Sequence, residues 1–321
     1  MRANRVTPLR FAAHMTHAYE RLMALATGQL GTFTRAQAND HGLSDRQLRS
    51  RVQSGILIQT GPNTFRVAGT PTTLMSDVRS LLLDVGEPVW VAGPTAAALH
   101  HFDGFVPRRP FHLVVPRGRC VRRWNAVIHR YDTIDPIDRS VVDGIPVLSP
   151  TRTMIDIARF ATSAQLAAAL DSGIRDGLLS EDLLHRRVVV LRSQGRYGLP
   201  LLAEVIAGHE VTRGGHSWLE REYLRLLAKA GLPRPELQQV LSRAEDRLVR
   251  VDCRFPGTRV VVELLGYRFH RSKREMTRDA ARANALLADG YQPYQFTYEH
   301  IVTNHEYVIG TTARALARRA A

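Results

Sequence analysis

Cysteine is scarce in this sequence: Cys120 and Cys253 are the only two in 321 residues. A pair so far apart makes neither a Cys-x-x-Cys zinc pattern nor a disulfide framework, and a reducing cytoplasm is the expected compartment. Long hydrophobic runs are also missing. A membrane-spanning helix needs about 20 consecutive apolar residues, and no stretch approaches that, so no membrane association is expected. Acidic residues are in deficit, 30 against 44 lysines and arginines, for a formal net charge of +14. A generally arginine-rich composition gives the same imbalance. Even so, a chain this basic favours an acidic partner, of which nucleic acid is the commonest. No internal repeat or low-complexity tract is present. The hydrophobic share of 44% suffices for two or three packed domains.

The opening residues, MRANRVTPLRFAAHMTH, are basic but lack the apolar core and small-residue cleavage site of a secretory signal. Residues 1–15 read as a disordered leader, with Met15 as an alternative start. From Thr16 the pattern is ordered. Tyr19, Leu22, Met23 and Ala26 share one helical face, and Gly28 follows. Thr34 with Gln37 and Ser44 with Gln47 are capping boxes that open two short helices, which end near Gly42 and Gly55. ILIQT and TFRVAG flank GPN as two strands and a turn. Three helices and a β-ribbon over residues 16–70 make a winged helix-turn-helix, whose third helix enters the major groove. Leu48 and Val52 face inward. Arg46, Gln47, Arg49, Ser50, Arg51 and Gln53 point outward, with Arg66 on the ribbon, a set suited to guanine edges and phosphates of double-stranded DNA. The same set also fits an ordinary solvated basic face.

The stretch from LATGQLG through DRQLRSRVQSG to TFRVAG resembles the N-terminal winged helix of AbiEi-type antitoxins, the transcriptional repressors of type IV toxin–antitoxin systems. That resemblance implies DNA binding and a toxin partner. Residues 71–208 read as a middle α/β domain. It holds an amphipathic helix in TTLMSDVRSLLLDV, strands in PVWVAG, FHLVVP, AVIHRYD and GIPVLS, and helices from Pro150, near Ser163–Gly177 and near Leu201–Gly208. It resembles the region found between such a winged helix and a nuclease-like tail. His100, His101 and His112 lack ligand-like company and suit packing or surface roles.

Residues 217–321 read as α-β-β-β-α-β-α. Leu219, Tyr223, Leu226, Leu227 and Ala230 stripe the first helix. Met276, Ala280, Ala283 and Leu287 stripe the second. Between them, VDCRFPGTRVVVELLGYRFH is a hairpin with a carboxylate, Glu263, inside an apolar strand. A turn about Gly257 and Thr258 sets Asp252 opposite Glu263, with Cβ atoms about 4.5–5.5 Å apart. Two ionised carboxylates that close persist where a cation sits between them or one keeps its proton. Mg²⁺ or Mn²⁺ suits such an oxygen-rich pair. A salt bridge to Arg250, Arg254 or Arg259 is the alternative.

An Asp, a hairpin and then a Glu in an apolar strand resemble the PD-(D/E)XK nuclease core. RVDCRF, VVVELLGYRFH and RDAARANALLADGYQPYQF are similar in order to the small endonucleases related to very-short-patch repair, over roughly Ser217–Ile301. That resemblance implies a restriction-endonuclease-like mixed sheet flanked by helices, with Asp252 and Glu263 as metal ligands and His270 beside the scissile phosphate. Glu220 matches the acid of the first helix, although Ser217 and Glu220 also spell a capping box. Gly266, Asp279 and Arg282 are supporting positions. His270 also suits simple packing, and Asp279 with Arg282 an ordinary helix ion pair. Leu265 departs from the pattern, standing where relatives carry Lys or Asp, and His270 or Lys273 would have to supply the missing function.

The sequence-based expectation is an α/β multidomain DNA-binding protein with a Mg²⁺-dependent endonuclease domain. The alternatives are an antitoxin-like transcriptional repressor with a catalytically inactive nuclease fold, and a module that answers to a toxin.

Overall fold

The computed structural model describes residues 19–191, 198–212, 218–244, 247–265 and 273–318. The protein is mixed α/β, and Cα packing divides it into two compact units: Met1–His101 with Phe105–Ser149, and Phe102–Gly104 with Pro150–Ala321.

The first unit opens with helix α1 over residues 19–28. Then come β1 (Thr32–Thr34), α2 (Arg35–Asp40), α3 (Asp45–Gln53), β2 (Leu57–Gly61) and β3 (Thr64–Val67). Both capping boxes form. Thr34 and Ser44 accept from the N3 backbone, and Gln37 and Gln47 reach back to the cap N–H. Leu22, Ala26, Phe33, Ala38, Leu48, Leu57 and Phe65 close a small core, with Val52 packed at its edge. Burial of each large apolar side chain contributes about 1.5–3 kcal/mol. The expected two-stranded ribbon is in fact a three-stranded sheet in the order β1-β3-β2. The extra strand, TFT, is too short to show a period, and it forms because Thr32–Thr34 pair with Thr64–Arg66.

The rest of the unit is α4 (Leu74–Val85), β4 (Trp90–Val91), α5 (Gly93–Leu99), β5 (Phe111–Pro116), β6 (Ala126–Tyr131), β7 (Arg139–Val142) and β8 (Ile145–Leu148). They form a mixed sheet in the order β6-β5-β4-β8-β7. Sequence reading missed β7, which is polar at its start and is held only by its hairpin with β8. His100 is buried and bonds the Leu148 carbonyl at 2.7 Å. His112 meets His129 of the neighbouring parallel strand, ring nitrogen to ring nitrogen, at 3.0 Å.

The second unit begins with α6 (Pro150–Ile157), α7 (Ser163–Arg175), α8 (Glu181–Val190) and α9 (Leu199–Thr212). Helix α8 was not anticipated. Its DLLHRRVVV reads as a strand by composition, but Ser180 caps it, and burial of His185 and Leu184 fixes it as a helix. Next come α10 (Trp218–Lys229), β9 (Glu236–Ala244), β10 (Arg247–Arg254), β11 (Val260–Leu265), α11 (Lys273–Ala288), β12 (Gln292–Thr297), α12 (Tyr298–Thr303) and α13 (His305–Ala317). The sheet order is β12-β11-β10-β9, with β11–β12 parallel and the other pairs antiparallel. Strand β12 ends at Thr297, earlier than its aromatic run suggests, because Thr297 and His300 form the capping box of α12. The two elements join at an aromatic contact. His185 of α8 stacks on Trp218 of α10 at 4.0 Å, and the Trp218 indole donates to Asp182 at 2.8 Å.

The inward face of α11 differs from the periodic expectation. Ala280 and Leu287 are exposed, Leu287 by 56%, while Leu286 is fully buried. Adjacent leucines fit either stripe. The choice is settled by Leu286, which packs against Val249, Val251 and Val261, with Arg282 one turn earlier facing the sheet. The side chain of Met276 lies outside the described residues.

Candidate functional site

Two constellations carry chemistry, one in each unit. The first is on α3. Sequence reading assigned it six outward side chains and Arg66. The structure sorts them. Gln47 is engaged in the capping box, its amide oxygen accepting from the Ser44 N–H at 2.8 Å. Arg51 lies with its guanidinium over the Tyr19 ring, 5.0 Å from the centroid, and bonds the Gln47 carbonyl. Arg46, Arg49, Ser50 and Gln53 are left exposed. They recur at i, i+3, i+4 and i+7, which is one continuous stripe on a helix. Arg66 does not belong to that stripe. It is 9% exposed and its Nη1 is 3.3 Å from Asp77 of α4, so it braces the wing.

The base of the wing is tied to α2 and α3. Arg35 donates to the Pro62 carbonyl, its backbone N–H bonds the Asn63 carbonyl, and its side chain pairs with Asp45 at 3.2 Å. The turn itself sits on Asp84, which accepts from the Asn63 N–H at 2.8 Å. A Cβ added to Gly61 would come within 2.6 Å of the Asp84 carboxyl carbon, so glycine is required there by close approach. These bonds hold the turn and the stripe in one fixed relation.

The second constellation lies on the sheet of the second unit. The β10–β11 turn is built by Pro256 and Gly257, the latter at φ +71, with the Thr258 N–H bonded to the Phe255 carbonyl. Cys253 then pairs with Val262 and Arg254 with Val261, a register that, continued by one residue, would set Asp252 against Glu263. Glu263 in turn pairs with Gln295 of β12, whose amide donates to Glu263 Oε2 at 3.2 Å. On the other side, Gln238 of β9 stands at φ +54. Its amide nitrogen donates to Glu220 Oε1 at 2.7 Å and to Asp252 Oδ1 at 3.3 Å. Asp252 Oδ2 accepts from the Leu264 N–H at 2.7 Å. Gln238 thus bridges Glu220 and Asp252, Gln295 holds Glu263, and Asp252 is close enough to Glu263 to act on its carboxyl; sequence reading overlooked both amides. A glutamine is a common surface residue, and only the register reveals that these two face acids.

The counter-ion also differs from expectation. Arg254 pairs with Glu236 and Arg259 reaches the Asp289 carbonyl, while Arg250 contributes its backbone carbonyl. The guanidinium that meets Glu263 is that of Arg282, with Nε 2.8 Å from Oε1, and Arg282 Nη2 bonds the Arg250 carbonyl. Among the described residues neither Arg282 Nε nor Glu263 Oε1 has a hydrogen-bond partner, so this is a close ion pair without a directed N–H···O bond. Glu263 is only 6% exposed. Burial pushes its carboxyl above the usual range, and Asp252 and Asp279 add to this. Arg282 and the Gln295 amide oppose it. Arg282 turns to the sheet, and Asp279 lies near enough to act on the Glu263 carboxyl. Gly266 and His270 lie outside the described residues, as do Ser217 and the side chain of Lys273. Leu265 ends β11 opposite Thr297.

The fit of these carboxylates to a metal can be tested directly. Among the described residues no group of three or more His, Cys, Asp or Glu is arranged to hold a metal ion. The position a cation would take beside Glu263 is held by Arg282. The described residues do not fit Mg²⁺ in this arrangement.

The first unit therefore presents an exposed polar and basic stripe on the third helix of a wing-bearing domain. Residues 20–68 match the family described as "Transcriptional regulator, AbiEi antitoxin", and residues 89–196 match the "AbiEi antitoxin C-terminal domain". Two curated relatives are 25% identical over 249 residues, 78% of this chain and 88% of each relative. They are the uncharacterized proteins MT2308 and Rv2248 from two strains of Mycobacterium tuberculosis. A solved structure, that of the RV2827C protein from Mycobacterium tuberculosis, is similar at a TM-score of 0.45 and 17% identity, over 71% of this chain and 88% of that one. Among the described residues no helix is long and apolar enough to cross a membrane.

Proposed function

We propose that this protein is a DNA-binding transcriptional regulator of the AbiEi antitoxin type. The observation that carries the proposal is the stripe of Arg46, Arg49, Ser50 and Gln53 on α3, fixed by the Ser44 capping box and left exposed. Arginines at such positions pair with guanine edges or phosphates, and Ser and Gln add adaptable polar contacts. The formal charge of +14 supports the same partner. The antitoxin descriptions of both matched families extend the proposal to a toxin that this protein antagonises. The test is duplex binding by fluorescence anisotropy, with DNA from upstream of the coding sequence, for the wild type, Arg46→Ala and Arg49→Ala. Loss of affinity in both supports the proposal, and unchanged affinity in both contradicts it.

Hydrolysis of DNA by the C-terminal domain is the second reading. The closeness of Glu220 of α10 to Asp252 through Gln238, and of Asp252 to Glu263, favours it. It requires Arg282 to leave Glu263 so that Mg²⁺ can take its place. We place it second because Arg282 already meets Glu263, and because Leu265 can neither bind a metal nor polarise water. In this account the domain is a nuclease-like scaffold kept for its surface. A plasmid-nicking assay with Mg²⁺ or Mn²⁺, run on wild type and Asp252→Ala, separates the two readings.

A further inference from the structure

The first unit contains a cavity of about 300 Å³ beside the wing. It is walled by the β2–β3 turn, by α4 and by the loops on either side of β5. Four arginines and two aspartates line it: Arg66, Arg109, Arg122 and Arg123, with Asp77 and Asp84. The charges do not cancel. Asp84 is neutralised by Arg123, whose Nε bonds its carboxylate and whose Nη2 bonds its carbonyl at 2.9 Å. Asp77 is shared, with Arg66 at 3.3 Å and Arg109 at 2.7 Å. One carboxylate therefore serves two guanidinium groups, and Arg122 is exposed at the same cavity.

A second observation points to an anion. Arg66 is 9% exposed, and its Nε is a buried donor without a hydrogen-bond partner among the described residues. A buried N–H of a charged group without an acceptor is unfavourable, so the Arg66 guanidinium stands incompletely satisfied at the cavity wall. At the rim, Trp124 is 86% exposed. Large aromatic rings seldom stand free in water, and an indole presented this way is a platform for a flat ring.

We propose that this cavity binds a phosphate group, held by Arg66, Arg109 and Arg122, with Trp124 stacking on the attached base. Guanidinium groups match phosphate oxygens with paired N–H donors. The phosphate has two sources, a free nucleotide and the backbone of the duplex that the wing approaches. Either occupant touches the turn at Thr60–Pro62, so occupancy and duplex binding are linked.

The test uses the full chain. Calorimetric titration with ATP and with inorganic phosphate is compared with duplex affinity for wild type, Arg109→Gln, Arg122→Gln and Trp124→Ala. All three residues are exposed, so folding should survive, and thermal melts check this. ATP binding that weakens about tenfold in both arginine variants supports the site with a free nucleotide. No ATP binding, with duplex affinity falling about tenfold and the salt slope falling by about 1 in the same variants, supports it with backbone phosphate. The proposal is overturned if ATP binds equally to all variants. It is also overturned if only Trp124→Ala has an effect, or if neither ligand series responds to any substitution.

Discussion

Arg282 of α11 reaches across to Glu263 of β11, with Nε 2.8 Å from Oε1, and this pair determines how the C-terminal sheet is read. A carboxylate buried in an apolar strand needs a compensating charge. Here the chain supplies that charge from its own helix. Replacing Arg282 by Ala leaves Glu263 and Asp252 together without a cation. We expect a loss of about 1–3 kcal/mol in urea unfolding, most of it recovered in Arg282→Ala/Glu263→Gln. A full loss in the double variant would show that Arg282 acts through packing alone.

The pH dependence has a definite sign. Glu263 has a folded carboxyl pKa raised by burial. Its protonated form is therefore favoured in the folded state. The stability it contributes is fully present below the ordinary glutamate value of about 4.3 and is lost as pH rises through the raised folded value. Glu263→Gln stays neutral throughout, so its stability relative to wild type rises as pH climbs above about 4.3. Unfolding curves at several pH values measure this, and a difference that falls with pH would contradict the burial argument.

At the wing, Gly61 has no room for a side chain beside Asp84. Gly61→Ala forces the turn off α4 and should destabilise the first unit by about 1–3 kcal/mol. Asp84→Ala removes the acceptor for the Asn63 N–H and the partner of Arg123 at once. Both variants should weaken duplex binding, because the turn is what holds Arg35 and the start of α3. Unchanged binding in folded variants would show that the wing plays no part in docking.

Wild-type protein should leave supercoiled plasmid intact in Mg²⁺ or Mn²⁺, since Arg282 stands where a cation would bind. Metal-dependent nicking that disappears in Asp252→Ala would instead establish the hydrolytic reading.

Much of this was legible in the sequence where a local signal was unambiguous. The capping boxes at Thr34 and Ser44 placed two helices, and the turn read about Gly257 and Thr258 gave the register that Cys253–Val262 and Arg254–Val261 follow. What escaped was set by tertiary contact. Strand β1 is three residues long and exists only through β3. Helix α8 carries β-branched residues and is decided by burial of His185. The face of α11 turned on which of two adjacent leucines packs, and that choice follows Arg282. Three nearby arginines were plausible partners of Glu263 by sequence distance, yet the actual partner is 19 residues on, brought back by the crossover between the parallel strands β11 and β12. The outward set on α3 was identified as a group, but only coordinates separate Gln47 and Arg51, held by their own domain, from the stripe beside them.

The central claim is that α3 docks on duplex DNA through that stripe. The most direct measurement is the salt dependence of duplex affinity for wild type, Arg49→Ala and Arg51→Ala. The account predicts a steep fall of affinity with salt for the wild type. Arg49→Ala should bind about tenfold more weakly, and Arg51→Ala, whose guanidinium already rests on Tyr19, should change less. A wild type that fails to bind duplex at low salt, or an Arg49→Ala variant that binds equally well, would contradict it.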